Sequence, residues 1–269
     1  MNKKIRLVDT TLRDGEQRPG IAMKIEHKIK IARLLDECRI YEIEAGTPCV
    51  GIEGEEYYQE LRAIIKHSKI SIWSRMNMKD LKKAILCKPD IIHIGVPISY
   101  VQIYTKLKKN KVWVHRNIAE CMALILAENI QVTVGFEDAS RADEGFMVET
   151  ARHIKTLGGN IIRIADTVGV LTPSRTRNII QSILTKVDID IEFHGHNDLG
   201  MALANSIVGA GSGARYIDCT VFGIGERSGN CDLREFATAA RHNFDMGIDR
   251  SKISNIEKTV KEILQKPKK

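Results

Sequence analysis

The stretch Val187-Asp-Ile-Asp-Ile-Glu-Phe-His-Gly-His-Asn-Asp-Leu-Gly200 holds the pattern that the rest of the chain repeats. Its first half alternates apolar and polar residues, which predicts a strand with one face buried. Its second half turns polar, and the strand closes on His194 and His196. Residues i and i+2 share a face of a strand, so both imidazoles are expected to converge on one point. With Asn197, Asp198 and Gly200 following, the pair reads as a divalent-metal site at a strand's C-terminal end. The alternative at this point is a pair of histidines bonded to loop carbonyls.

Working outward, β-rich runs recur at Ile5–Val8, Tyr41–Glu44, Ile70–Trp73, Ile91–Ile94, Val132–Val134, Ile161–Ile164, Ile189–Phe193 and Tyr216–Val221. Stretches with helical spacing separate them, among them Lys24–Cys38, Asp143–Leu157 and Ser174–Leu184. Thr172 before Pro173 is a capping residue followed by the imino acid that helices accept in their first turn. The interval between the fourth and fifth strands leaves room for a further helix, Ile118–Asn129. Eight strand–helix alternations predict an α/β fold with a parallel sheet, and a length of 269 residues suits a (β/α)8 TIM barrel, typically about 250 residues. A doubly wound open sheet is the competing arrangement, and the strand count favours the barrel. A single barrel domain is expected over 1–250, followed by an amphipathic helix, Ile253–Leu264, and a basic tail within 251–269.

A barrel places its chemistry on the loops after the strands, and the unusual residues of this chain fall there. Asp9-Thr-Thr-Leu-Arg-Asp-Gly-Glu-Gln17 follows strand one, and Gly46-Thr-Pro48 follows strand two. Arg75 ends strand three, Glu137-Asp138 strand five and Asp166-Thr167 strand six. Gly223–Asn230 follows strand eight. So many acids, bases and metal-binding types at consecutive strand ends favour the metal reading of the histidines.

Composition narrows the class of protein. Hydrophobic residues make up 43% and charged residues 28%, as in a globular protein with a substantial core. The net charge of +7 comes from dispersed lysines, clustered only at Lys106-Leu-Lys-Lys109 and Lys266-Pro-Lys-Lys269. No nucleic-acid-reading motif accompanies them. Six cysteines without a C-x-x-C pair, and no signal peptide, predict reduced thiols and a cytoplasmic protein. Cys49 and Cys231 are expected to be small buried side chains near the mouth. The longest apolar run, Cys121–Ala127, is far short of a membrane span. Gly209-Ala-Gly-Ser-Gly-Ala214 reads as a helix end and turn.

Asp9–Gln17, His194–Gly200 and Gly223–Asn230 together resemble the metal-dependent barrel enzymes that make or cleave carbon bonds by Claisen chemistry. That group holds isopropylmalate, citramalate and homocitrate synthases and 3-hydroxy-3-methylglutaryl-CoA lyase. The resemblance runs over almost the whole chain. Val134–Asp143 and Ala165–Pro173 are most similar to the homocitrate synthases of nitrogen-fixing bacteria. The lyases carry a catalytic cysteine in the loop after strand eight; this chain has none there before Cys231, so the resemblance implies a synthase. The implied reaction is condensation of acetyl-CoA with 2-oxoglutarate and hydrolysis to homocitrate and CoA. Citramalate or isopropylmalate synthesis, or a related metal-dependent lyase, is the second enzymatic reading, and a non-catalytic scaffold subunit is the reading from another class.

The resemblance also assigns roles. A divalent cation (Mn, Mg or Zn) falls to Asp14, His194 and His196, with Asn230 as a further ligand. Arg13 stands beside the metal, suited to a developing alkoxide or enolate. Glu137 matches a glutamate used in proton transfer. Thr167, Arg75 and Gln17 are substrate contacts, with Arg75 offered to the distal carboxylate of 2-oxoglutarate. Thr133 replaces an arginine of the lysine-biosynthesis relatives. The relatives continue past the barrel into a lid. The chain is therefore expected to be the barrel-bearing subunit of a divided enzyme, Met1 to its lysine tail being a complete product, with a separate partner supplying the lid.

Overall fold

A computed structural model describes residues 3–48, 51 and 53–265. Cys49 and the 266–269 tail lie outside the described residues. The barrel strands are β1 (Arg6–Asp9), β2 (Glu42–Glu44), β3 (Lys69–Arg75), β4 (Ile91–Pro97), β5 (Gln131–Glu137), β6 (Ile161–Asp166), β7 (Asp190–Gly195) and β8 (Tyr216–Cys219). All are parallel in sequence order, and β8 closes on β1 with Leu7 opposite Ile217. The helices between and after them are α1 (Ile25–Glu37), α2 (Glu55–Ile64), α3 (Met78–Leu86), α4 (Lys111–Ala127), α5 (Glu144–Thr156), α6 (Pro173–Leu184), α7 (Ala202–Ser212), α8 (Leu233–Ala239) and α9 (Ile253–Gln265). The expected (β/α)8 barrel is the observed fold.

Period-two alternation decides which residues meet the helices. Ile43, Ile92, Ile94, Val134, Ile162, Ile164, Ile191, Phe193 and Ile217 are fully buried in the hydrophobic core. Their neighbours in sequence face the lumen instead: Glu44, His93, Thr133, Arg163, Glu192 and Asp218 are each at most 2% exposed. Barrel interiors are ordinarily filled by branched aliphatic side chains. This one is filled by polar and ionisable side chains.

The helix starts follow capping chemistry. Thr172 Oγ1 accepts from Arg175 N ahead of Pro173, as expected for α6. α4 differs from the expected Ile118–Asn129. It begins at Lys111, because Asn110 Oδ1 accepts from Trp113 N at 2.8 Å and caps it. The space before it holds a π-helical stretch, Val101–Lys106. The glycine run at 209–214 does end α7, and Gly213 stops it at φ +130°, where an added Cβ would lie 2.2 Å from Leu184 Cδ1. A two-residue parallel pairing of Lys3–Lys4 with Phe244–Asp245 was not expected. α9 packs its apolar stripe, Ile253, Ile256 and Val260, against the body of the molecule beside α1.

Candidate active site

After β1 the chain turns sharply. Asp9 Oδ1 accepts from Thr11 N at 2.9 Å, and Thr10 O accepts from the backbone N–H of Arg13, Asp14 and Gly15. This turn presents Arg13 and Asp14 to the barrel mouth. The loop after β8 is tied to it, since Val221 N donates to Thr11 Oγ1 at 2.9 Å. In that loop a Cβ on Gly225 would meet Asn230 Nδ2 at 2.1 Å and Asp14 Oδ1 at 2.5 Å. Only glycine lets the loop close there.

His194 and His196, from the end of β7, bring their Nε2 atoms within 3.3 Å of each other. Asp14 Oδ2 lies 3.6 Å from the first and 3.8 Å from the second. One ligand atom from each of these three residues falls in a cluster within 4.8 Å. Asn230 stands behind Asp14, its Nδ2 donating to Asp14 Oδ1 at 2.8 Å, while its buried Oδ1 has no protein partner. His194 Nδ1 lies 2.9 Å from Asp218 Oδ2, which fixes the ring so that Nε2 faces the cluster. Two imidazole nitrogens, one carboxylate and an orphaned amide oxygen make a donor set that fits a divalent cation.

The electrostatics are uneven across this group. Burial opposes ionisation of Asp14, but Arg13 and the two histidines hold its carboxyl well below the usual range. Burial also opposes charge on His194, yet the neighbouring Asp14 carboxylate and the hydrogen bond to Asp218 raise its pKa to about 9. His196 is lowered to about 4 by burial and by the charge on His194. Glu137, on the opposite wall, is raised by burial, against the pull of Arg13, His194 and Arg163. Thr167 Oγ1 accepts from Asp138 N at 2.8 Å, so its own hydrogen points to Glu137 Oε2 at 3.2 Å.

A layer of charge lies beneath. Glu44 pairs with Arg13 Nε, with Arg163 Nη2 at 2.7 Å and with His93 Nδ1 at 3.0 Å. Arg163 Nε also meets Glu192 Oε1 at 2.5 Å and Asp218 Oδ2 at 3.2 Å. One guanidinium thus anchors the carboxylate that holds Arg13 and the carboxylate that orients His194. The sequence reading passed over Glu44, His93, Arg163 and Asp218. Their signal was available: strands covered on both faces should read as near-continuous hydrophobic runs, and these strands carry a charge or imidazole at alternate positions.

A cavity of about 530 Å³ opens above this layer, and its wall includes Arg13, Asp14, Gln17, Arg75, Glu137, Thr167, His194 and His196. The residues expected to act together therefore line one bowl, except Asn230, which sits behind Asp14. Arg75 reaches the bowl from its rim, 57% exposed, and its Nε is engaged by Asp80. Trp73 forms another part of the wall, with Arg13 Cζ 5.9 Å from its ring centroid. Cys231 is buried as expected and free.

A closed parallel barrel with an acid, two imidazoles and a buried arginine at its C-terminal mouth has the form of a barrel enzyme with a candidate divalent-cation site. The chain belongs to the HMGL-like family, whose profile matches residues 4–260. It is 44% identical over 232 residues to the homocitrate synthase subunit alpha of Clostridium pasteurianum, covering 86% of each chain. It is 39% identical to 2-isopropylmalate synthase 2 of Caldanaerobacter subterraneus, covering 96% of this chain and 68% of that one. Among solved structures, the HMG-CoA lyase of Brucella melitensis superposes with a TM-score of 0.85 at 17% identity, covering 98% of this chain and all of that one, a likeness of fold.

Proposed function

We propose that this chain is the metal-binding barrel subunit of a homocitrate synthase. It joins the methyl carbon of acetyl-CoA to the keto carbon of 2-oxoglutarate; water then cleaves the thioester, releasing homocitrate and CoA. The observation that carries this reading is the convergence of Asp14, His194, His196, Arg13 and Glu137 on one bowl in a chain 44% identical to a homocitrate synthase subunit. Asp14, His194 and His196 would hold a divalent cation, with the unpartnered Asn230 Oδ1 as a further donor, and the cation would supply Lewis acidity toward the oxo-acid carbonyl.

The chain's own residues supply the rest. Arg13, kept charged by Glu44 and Asp14, faces the place where negative charge develops on oxygen during carbon–carbon bond formation. Glu137 takes up the methyl proton, its burial and Thr167 setting its basicity and direction. Gln17, Thr167 and Arg75 hold the acceptor, and Arg75, at the rim, suits its distal carboxylate. The subunit works in the cytoplasm with a second chain that closes the bowl. The name "subunit alpha" of the Clostridium relative supports a divided enzyme. No helix among the described residues is long and apolar enough to cross a membrane. The 39% identity to an isopropylmalate synthase favours a second reading, in which the acceptor is a branched 2-oxo acid.

The test is a condensation assay with acetyl-CoA and a panel of 2-oxo acids, monitored by free CoA and by product mass, with and without the product of the neighbouring open reading frame, the candidate for the second chain where that product resembles the lid of the longer relatives. Homocitrate from 2-oxoglutarate is the expected result. Turnover of 2-oxoisovalerate but not 2-oxoglutarate would move the assignment to the second reading.

A further inference from the structure

The link between β4 and α4 takes no part in the chemistry above except where it forms the rim of the bowl. Its π-helical stretch, Val101–Lys106, is an uncommon conformation in globular proteins and frequent at functional places. Only Ile103 of the stretch is buried. Tyr100, Val101 and Tyr104 are 44%, 49% and 48% exposed, and Val112 beyond them is 76% exposed. The two tyrosines meet edge-on at 5.8 Å, with Lys111 Nζ 5.0 Å from the Tyr100 ring centroid. Beside them is a depression of about 400 Å³ lined by Lys108, Lys109, Asn110, Val112, Trp113 and Arg116. Trp113 lines the catalytic bowl as well, so the two hollows are neighbours that share this side chain as a wall.

We propose that this surface is where the second chain docks, and that the segment it receives carries acidic side chains around apolar anchors. The inference rests on the two-chain reading above and names the face that serves it. Charge selects the occupant. Lys106, Lys108, Lys109, Lys111 and Arg116 crowd this face, with Glu120 4.0 Å from Arg116 and Asp143 near Lys111 offsetting two of the five. A second copy of this chain laid on the same face would oppose like charges, which costs affinity, whereas an acidic segment neutralises them. The apolar content selects a polypeptide over a small anion, because a small anion would leave Tyr104, Val101 and Val112 in water. Because Trp113 belongs to the walls of both hollows, a chain seated here lies next to the mouth of the bowl and can extend over it.

The test uses the full chain and the product of the neighbouring open reading frame, with affinity measured by titration calorimetry. Val112→Glu places an acid at the second residue of α4, where a helix N-terminus favours a carboxylate; the variant should therefore fold. Tyr104→Ser is the second variant. Each should weaken the complex by about tenfold or more, leave Mn²⁺ binding unchanged, and leave the KM for acetyl-CoA unchanged. Equal affinity in the variants would overturn the docking face while leaving the two-chain reading intact. A raised KM for acetyl-CoA with an intact complex would assign the face to the nucleotide of the thioester and overturn it too. No complex with the unaltered chain would remove the two-chain reading and this face with it.

Discussion

Loading the Asp14–His194–His196 site with Mn²⁺ at pH 7.5 should expel about one proton, and His194 is its source. Asp14 is ionised well below this pH and His196, lowered to about 4, is neutral there. His194, raised to about 9, carries its proton, held between Asp14 and Asp218. A cation needs the lone pair that this proton occupies. At about 1.4 kcal/mol per pH unit, displacing it at pH 7.5 costs about 2 kcal/mol of apparent affinity. The association constant should rise about tenfold per unit from pH 6.5 to 8.5 and level off above 9. Titration calorimetry in buffers of different ionisation enthalpy counts the protons directly. The same shift sets a stability sign. In chelator-treated protein the raised pKa stabilises the fold fully below about 6.5, by about 3 kcal/mol, and that stability is lost as the pH rises through 9. The melting temperature with chelator should therefore fall across that window, and the Mn²⁺-loaded protein should show a flatter profile. Release of two protons, or of none, would refute the assignment of charge among these three residues.

Other consequences of the site are open to measurement. Glu137→Gln should lower kcat by about 10²- to 10⁴-fold with Mn²⁺ affinity unchanged; a matching loss of metal binding would remove it from the proton-transfer role. Arg163→Met leaves Glu44, Glu192 and Asp218 without their shared cation, which should destabilise the fold by about 3–5 kcal/mol, read by urea unfolding. Gly225→Ala drives a methyl into Asn230 and Asp14 and should weaken Mn²⁺ binding by about 10- to 100-fold; an unaltered affinity would show that this loop does not shape the site.

The outer face of the barrel was legible in the sequence. β-rich runs separated by helical stretches were enough to order the strands and to put the polar segments holding Asp14, His194 and His196 at their ends, and the family resemblance named those three as ligands. The lumen was not read from the same residues. The meaning of Glu44, Arg163 and Asp218 depends on which partner lies across the barrel, and Glu44 and Arg163 stand 119 residues apart in the chain. Local pattern carries no such pairing. α4 began earlier than expected because Asn110, one polar residue in a lysine-rich stretch, supplies a cap whose value lies in its geometry with Trp113 N. Asn230 was read as a ligand, and the fold places it behind Asp14 with its oxygen unpaired, a position that only the closure at Gly225 creates.

Arg163 gives the barrel a division of labour. The guanidinium binds the carboxylates that hold Arg13 and His194, so a change in the floor of the bowl disturbs the reactive groups and the stability of the fold together. The rim is built from other residues: Trp73, Arg75 and the π-helical link line the bowl, and Arg75 pairs there with Asp80. A barrel wired in this way can exchange one oxo acid for another by altering side chains at its edge while its carbon–carbon chemistry stays fixed. Such an arrangement suits a scaffold shared by enzymes that differ chiefly in the acid they extend.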